Sequence, residues 1–313
     1  MRAASSDRAG APAIVVLLAT HNGVRYLPEQ LDSILGQEGV AGRVVALDDG
    51  STDGTPQVLA ERAAADDRLT VLSDDGTGGS SARNFYRLIE RVEPLEGELV
   101  AFADQDDVWH LDKLARHAAL LARGHEGVSS SVTAFWEDGR RHLIRKDYPQ
   151  RELDYVLESP GPGCTFLITP RLLDLTRQTL SNSADARAVE FHDSLIYALA
   201  RGRGWSWHID GYPSVDYRQH AGNVMGSNSG LAGARARLRL IREHWLRTHA
   251  THLTAAARHV ATGATADALD RVHALLTTRG LRARLALARM TPLLRRRPRD
   301  QRIIGLLITI GIW

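Results

Sequence analysis

The strongest constraint on the fold is an alternation in the first 125 residues. Short apolar runs, IVVLLAT, VVAL, LTVL and LVAFA, are separated by segments whose apolar residues recur at helical spacing. Leu27, Leu31, Ile34 and Leu35 form one such face, a second helix follows from Thr55, and Phe85, Leu88 and Ile89 mark a third. Strands that alternate with helices imply an α/β fold with a mostly parallel central sheet and helices on both faces. Ligands of such sheets bind at the carboxyl ends of the strands. The informative residues are therefore those just after each strand: THN after the first, DDGSTDGT after the second and DQDD after the fourth.

Past about residue 130 the pattern loosens. VTAFW reads as a strand, GPGCTF as a loop, a helix follows from Pro170, and further strands fall near WSWHI and PSVDYRQH. From Leu231 the chain reads as helical, with Leu238, Ile241 and Trp245 on one apolar face. Cys164 is the only cysteine, so no intrachain disulfide and no cysteine-based zinc site can form, which suits a reducing cytosol and an unmodified thiol. The N-terminal run AIVVLLA is near the minimum for a signal core and leads at once into a turn and a helix, so it reads as the first buried strand. No window reaches the ~18 apolar residues of a membrane span.

DQDD sets Asp104, Asp106 and Asp107 within four positions. Unit charges ~4 Å apart interact by about 4 kcal/mol at an effective dielectric of ~20, so something nearby should supply positive charge. If the strand stays extended, Asp104 and Asp106 share a face and Asp107 points away, into a structural role at the turn before Trp109. Two carboxylates on one face suit a hard divalent cation that bridges to phosphate oxygens. The alternative is a solvated acidic turn ahead of the helix LDKLARHAALL.

DDGSTDGT matches the opening of a calcium loop through Asp49, Ser51, Asp53 and Gly54, but the closing glutamate fails because the twelfth position is Ala60. Capping of the next helix explains Asp53 but not a pair of acids at a strand end. Asp49 is therefore a ligand-binding candidate, able to accept the imide hydrogen of uracil or thymine. In HDSL, Asp193 sits where a helix starts and is either an N-cap or a general base within reach of a hydroxyl proton. Arg218 and His220 follow a strand, although His220 is one of thirteen histidines.

Together these segments resemble the inverting family-2 glycosyltransferases of the GT-A fold, in their rhamnosyltransferase-like branch. LLATHNG with YLPEQLDSILGQ, VVALDDGSTDGT, SSARNF, AFADQDDVWHLDKL, GPGCTF, HDSL and YRQHAGNVMG carry the resemblance, from residue 13 to about 228. It implies a cytoplasmic, metal-dependent transferase moving a sugar, L-rhamnose by this branch, from a dTDP- or UDP-linked donor to a glycan or lipid-linked saccharide. No nucleic-acid partner is expected. Residues 13–230 would form the catalytic domain, 13–125 its nucleotide-binding half and 126–230 its acceptor half, with a flexible tail before it at 1–12 and a helical extension after it at 231–313.

By the same resemblance, Ala19, Thr20, His21 and Asn22 border the nucleotide base, with His21 where the family usually has Tyr, and Asp49 contacts the pyrimidine. Asp106 is the main ligand of Mg2+ or Mn2+, Asp104 contacts ribose or a metal-bound water, and His220 completes the metal and diphosphate site. Arg83 and Arg218 face the phosphates, and Asp193 is the catalytic base, in HD where many members have ED.

Two rivals to an enzyme of this class can be stated. A sugar nucleotidyltransferase would carry a glycine-rich phosphate loop after the first strand, where this chain has ATHNGVRYL. A non-catalytic nucleotide-sugar-binding subunit would retain the pocket without releasing nucleoside diphosphate. Beyond the family core, RRRPRDQR precedes IIGLLITIGIW, and Arg279 to Arg302 holds nine Arg against one acid, Asp300. Either the apolar end packs on the body with the basic run solvated, or the tail lies on an anionic membrane surface.

Overall fold

The computed structural model describes residues 10–73, 76, 79–220 and 244–313. Strands β1 (Ala13–Thr20), β2 (Ala41–Asp48), β3 (Leu69–Val71) and β4 (Leu99–Ala103) lie parallel, with β1 between β2 and β4 and β3 outside β2. Helices α1 (Leu27–Leu35), α2 (Thr55–Ala65) and α3 (Ser81–Arg91) make the crossovers. The predicted alternation is present in full. It works because β1 is apolar at every position that packs: Val15, Leu17 and Ala19 enter one core, and Ile14, Val16 and Leu18 enter the core on the opposite face. Fully burying each such aliphatic side chain contributes roughly 1.5–3 kcal/mol.

The helix starts follow side-chain chemistry. The Asp53 carboxylate accepts the Thr55 amide at 2.9 Å where α2 begins, and Ser80 Oγ accepts the Arg83 amide at 3.3 Å where α3 begins. After β4 come β5 (Val108–Trp109), α4 (Lys113–Leu121), β6 (Gly127–Ser130), β7 (Val132–Phe135), β8 (Arg141–Ile144), β9 (Leu167–Ile168), α5 (Pro170–Asn182), α6 (Ala184–Ala188), α7 (His192–Gly202), β10 (Trp207–Asp210) and β11 (Val215–Arg218). The main sheet has the order β10-β6-β9-β4-β1-β2-β3, with only the two-residue β9 antiparallel to its neighbours.

A second sheet, β5-β11-β7-β8, was not expected from the sequence. It carries Arg218 and the residues after it to the end of β4, because β11 pairs with β5 just past the acidic turn.

Five helices follow among the described residues: Trp245–Val260, Gly263–Thr277, Leu281–Arg289, Thr291–Leu294 and Pro298–Ile310. Leu253, Ala257, Leu269, Leu287, Leu294 and Ile308 share one core with Leu195 and Leu199 of α7. The contact is close enough that a Cβ on Gly202 would lie 2.9 Å from the Ala257 carbonyl. The expected apolar face through Leu238 and Ile241 lies outside the described residues, while Trp245 donates its indole N–H to Glu190 at 2.6 Å. Among the described residues, no helix is long and apolar enough to cross a membrane.

Candidate active site

The ends of β1 and β2 are tied together by a short polar network. Asp48 accepts the Thr20 hydroxyl at 2.8 Å, the Ser51 hydroxyl at 2.6 Å and the Ser51 amide at 2.8 Å. Asn22 takes a left-handed backbone (φ 50°), and its side-chain carbonyl accepts the Thr52 amide at 2.8 Å; asparagine tolerates this conformation better than most residues. His21 holds the Asp49 carbonyl through Nδ1 at 2.9 Å. The Asp49 carboxylate accepts the Gly79 amide at 3.0 Å and pairs with Arg87 at 3.3 Å. His21, Asn22 and Asp49 thus form one rim, while Ala19 and Thr20 are buried beneath it.

Gln105 joins this rim to the acidic turn. Its amide oxygen accepts the His21 N–H at 2.7 Å, and its amide nitrogen donates to the His21 carbonyl at 2.8 Å. Gly23 makes room for that clamp, since a Cβ there would fall 2.3 Å from Gln105 Oε1.

The acidic turn departs from the expected geometry. The strand ends at Ala103, so residues 104–107 are not extended, and Asp107 does not point away from its neighbours. Ligand atoms of Asp104, Asp107 and Cys164 lie within 4.8 Å of one another. Asp107 is fully buried and accepts the Arg218 amide at 3.1 Å, so its structural role is to fasten β11 to the turn. Asp106 turns the other way, with Oδ2 2.7 Å from His220 Nε2. The His220 ring stacks on Tyr26 at 5.0 Å. Arg218 donates from Nε to the Asp106 carbonyl at 2.8 Å, pairs with Glu29 at 2.5 Å and lies over Tyr26.

The electrostatics follow from this crowding. Burial, then the charges of Asp106 and Asp193, pushes the Asp104 carboxyl up to about 7. Burial, then Asp106 and Asp104, holds Asp107 well above the usual carboxylate range, against a hydrogen bond from the Cys164 thiol. The positive charge that the sequence requires comes partly from Lys113. Its ammonium is fully buried 3.3 Å from the centre of the Trp109 ring. Burial lowers it to about 7, opposed by the neighbouring Cys164 and Asp107.

Asp193 lies in the first turn of α7 and is not its N-cap; that position belongs to Phe191, with no side-chain cap. The carboxylate accepts the Ser194 amide at 2.6 Å and lies 3.2 Å from the Ser159 hydroxyl, which also sits 2.7 Å from the Gly161 carbonyl. Burial raises its pKa, and the hydrogen bonds from Ser194 and Ser159 and the charge of Lys146 oppose that rise. Beside it, the His192 ring stacks on Phe85 at 3.8 Å, and burial pulls its pKa down to about 3, so it is neutral. The loop GPGCTF backs directly onto HDSL: a Cβ on Gly163 would lie 2.3 Å from His192 Nε2.

The segment holding Ser159 is braced from the C-terminal extension. Arg296 is 2% exposed, so this part of the basic run is not solvated. It donates to Asp154 at 2.6 Å, to the Ser159 carbonyl at 3.2 Å and to Tyr197 Oη at 3.2 Å, and its amide reaches Glu158 at 2.9 Å.

Among the sequence candidates, Asp106, Arg218 and His220 converge, with Asp104 beside them and Asp193 near enough for its charge to act on Asp104. Arg83 stays apart as an exposed side chain on α3 with no ion pair or side-chain hydrogen bond among the described residues. Gln105, Lys113, Lys146, Ser159 and Arg296 carry no role in the sequence reading. One signal was available: the chain is rich in arginine and has only two lysines, and burial lowers the pKa of both.

Comparison with known proteins supplies the class of chemistry. Residues 15–169 match the profile of Glycosyl transferase family 2. A relative from Shigella flexneri, described as dTDP-rhamnosyl transferase RfbG, is 34% identical over 239 residues, 75% of this chain and 83% of that protein. The chain belongs to glycosyl transferase family 2. This family-2 chain is also 32% identical over 111 residues to a Bacillus subtilis protein described as a putative teichuronic acid biosynthesis glycosyltransferase, TuaG, covering 35% of this chain and 42% of that one.

Solved structures of similar fold include S. aureus TarS 1-349 in complex with UDP-GlcNAc (TM-score 0.58, 18% identity, 96% of this chain and 81% of that one). Another is the mannosyltransferase PcManGT from Pyrobaculum calidifontis in complex with GDP-Man and Mn2+ (TM-score 0.50, 19% identity, 98% and 88%). The family-2 chain therefore has the GT-A fold with helices appended after it, and it is a glycosyltransferase.

Proposed function

We propose that this family-2 enzyme transfers L-rhamnose from dTDP-L-rhamnose to a hydroxyl of a surface-glycan or lipid-linked saccharide, with inversion at the anomeric carbon. The donor follows from the Shigella relative's description as a dTDP-rhamnosyl transferase. The observation that carries the chemistry is the contact of Asp106 with His220 just past the end of β4, with Asp104 close enough to feel the charges of both Asp106 and Asp193.

In this proposal the rim of His21, Asn22 and Asp49, with Ala19 and Thr20 beneath it, receives the pyrimidine base, and Arg83 and Arg218 face the diphosphate. Residues 13–125 form the nucleotide half, 126–230 the acceptor half and 231–313 the extension. Asp193 takes the proton from the acceptor hydroxyl as that oxygen attacks. Oδ1 accepts the Ser194 amide and hydroxyl, whereas Oδ2 accepts only the Ser159 hydroxyl and keeps a lone pair for this work. A carboxyl raised above its ordinary value is the stronger base.

A divalent cation fits the acidic turn on two counts. Asp104 is held up at about 7 by burial and by Asp106, a cost that a cation would relieve. Paired carboxylates also suit Mg2+ or Mn2+, with an added imidazole better matched to Mn2+ than to the oxygen-seeking Mg2+, and the PcManGT structure contains Mn2+. Asp106, Asp104 and His220 would hold it; when bound, it supplies Lewis-acid stabilisation of charge developing on the leaving diphosphate.

The test is release of nucleoside diphosphate from purified protein supplied with dTDP-L-rhamnose, UDP-glucose and UDP-GlcNAc, each with Mn2+ and with chelator. The proposal expects metal-dependent release from dTDP-L-rhamnose above the others. Equal or greater release from the UDP sugars would overturn the donor assignment, and equal rates in chelator would overturn the metal.

A further inference from the structure

We propose that the helix Pro298–Ile310, with the residues after it, forms a docking surface for an anionic lipid bilayer. One face of this helix is already used: Ile304, Leu307 and Ile308 pack on the protein core. The opposite face carries Arg299, Arg302, Ile303, Leu306 and Ile310, a spacing of three, four, seven and eleven residues that keeps them on one stripe. That stripe is open to solvent, with Ile303 at 46%, Leu306 at 61%, Ile310 at 52% and nearby Ile312 at 46% exposure.

The inward side thus has enough apolar surface to seat the helix, yet the outward side is apolar as well. Clustered exposed aliphatic residues mark interaction surfaces. The cationic rim says what kind. Arg289, Arg302 and Leu306 line a single open groove between this helix and Leu281–Arg289. Arg282, Arg289, Arg299 and Arg302 are exposed, and none makes an ion pair among the described residues. Asp300, the only acid from Arg279 to Arg302, is engaged by Arg295 at 3.6 Å and Arg297 at 3.9 Å.

A second copy meeting this face across a two-fold axis would set arginine against arginine with no acid between them. Anionic headgroups supply the missing charge, while the aliphatic residues enter the boundary between headgroups and acyl chains. The helix lies in the interface and does not span it. This surface is independent of the sugar and acceptor assigned above, and binding to it needs no donor.

The experiment is co-sedimentation of the full chain with phosphatidylcholine vesicles and with equimolar phosphatidylcholine and phosphatidylglycerol vesicles at low salt. The expected result is binding to the mixed vesicles at least about 10-fold stronger than to the neutral ones. Loss of two arginines in Arg299→Gln/Arg302→Gln should weaken it by about 30-fold. Ile303→Ser/Leu306→Ser should also abolish sedimentation, while donor hydrolysis in solution stays at the parent rate in both variants. Equal binding to both vesicle types would overturn the proposal. So would absence of vesicle binding, including the case in which the chain forms a dimer that Leu306→Ser dissociates.

Discussion

Nε2 of His220 lies 2.7 Å from Oδ2 of Asp106, across a separation of 114 residues. The second sheet makes this contact possible, because β11 pairs with β5 just beyond the acidic turn and ends at Arg218. His220→Asn removes the imidazole and leaves the Arg218 anchorage untouched. The Mn2+ concentration for half-maximal transfer should then rise by about 10–100-fold, the range seen when a group that holds or orients a metal ligand is lost. A metal titration checks it, and an unchanged midpoint would remove His220 from the metal site.

Gln105 clamps the base rim to the acidic turn through two hydrogen bonds to the His21 backbone. At about 0.5–1.5 kcal/mol net for each bond, Gln105→Ala should raise the donor KM roughly 5–150-fold with a smaller change in kcat. Steady-state kinetics with dTDP-L-rhamnose provide the measurement, and circular dichroism should stay unchanged.

Arg296 and Asp154 form a buried pair with neither side chain exposed. Breaking such a pair by removing one partner costs roughly 3–5 kcal/mol, because the remaining charge stays buried. Arg296→Ala should therefore lower the melting temperature by on the order of 10 °C. The neighbouring Arg297→Ala, at a side chain 44% exposed, should change it little. Thermal denaturation of both variants separates a braced extension from a merely solvated basic run.

These contacts mark what the sequence could and could not disclose. The first four strands and three helices were legible because each strand is built on a short apolar run and the helices between them carry apolar residues at helical spacing. The second sheet was not. Two of its strands, in VTAFW and PSVDYRQH, were legible as strands, but all four are two to four residues long and β8 (RHLI) shows no buried residue, so their pairing into a separate sheet had no apolar period to announce it. The acidic turn misled for a different reason: alternation holds only while a strand continues, and this one stops at Ala103. At the candidate site, the acids stood out by their position at strand ends, whereas His220, one of thirteen histidines, was singled out only by the family resemblance. The roles of Gln105, Ser159 and Arg296 depend on contacts between distant segments, which local pattern does not encode.

His192 offers a test of burial through pH. Its pKa is held at about 3 by burial, below its ordinary value of about 6.5, so below pH 6.5 the unfolded chain binds a proton that the folded chain refuses. Stability is lost as pH falls from about 6.5 toward 3, with a slope of up to about 1.4 kcal/mol per pH unit. Asp104, raised to about 7, acts in the opposite direction, favouring the folded state when protonated. The difference between variants therefore isolates the histidine. Urea unfolding between pH 4 and 7.5 should show the acid-side slope reduced by about one proton in His192→Asn. Identical slopes would mean that the ring is protonated in the folded chain.

Asp193 carries the central claim, since its role as base would make the chain an inverting transferase. The most direct measurement is transfer from dTDP-L-rhamnose by Asp193→Asn beside direct binding of dTDP. Turnover should fall by about 10²–10⁴-fold, while dTDP affinity stays within a few-fold of the parent. Undiminished turnover in Asp193→Asn would contradict the assignment.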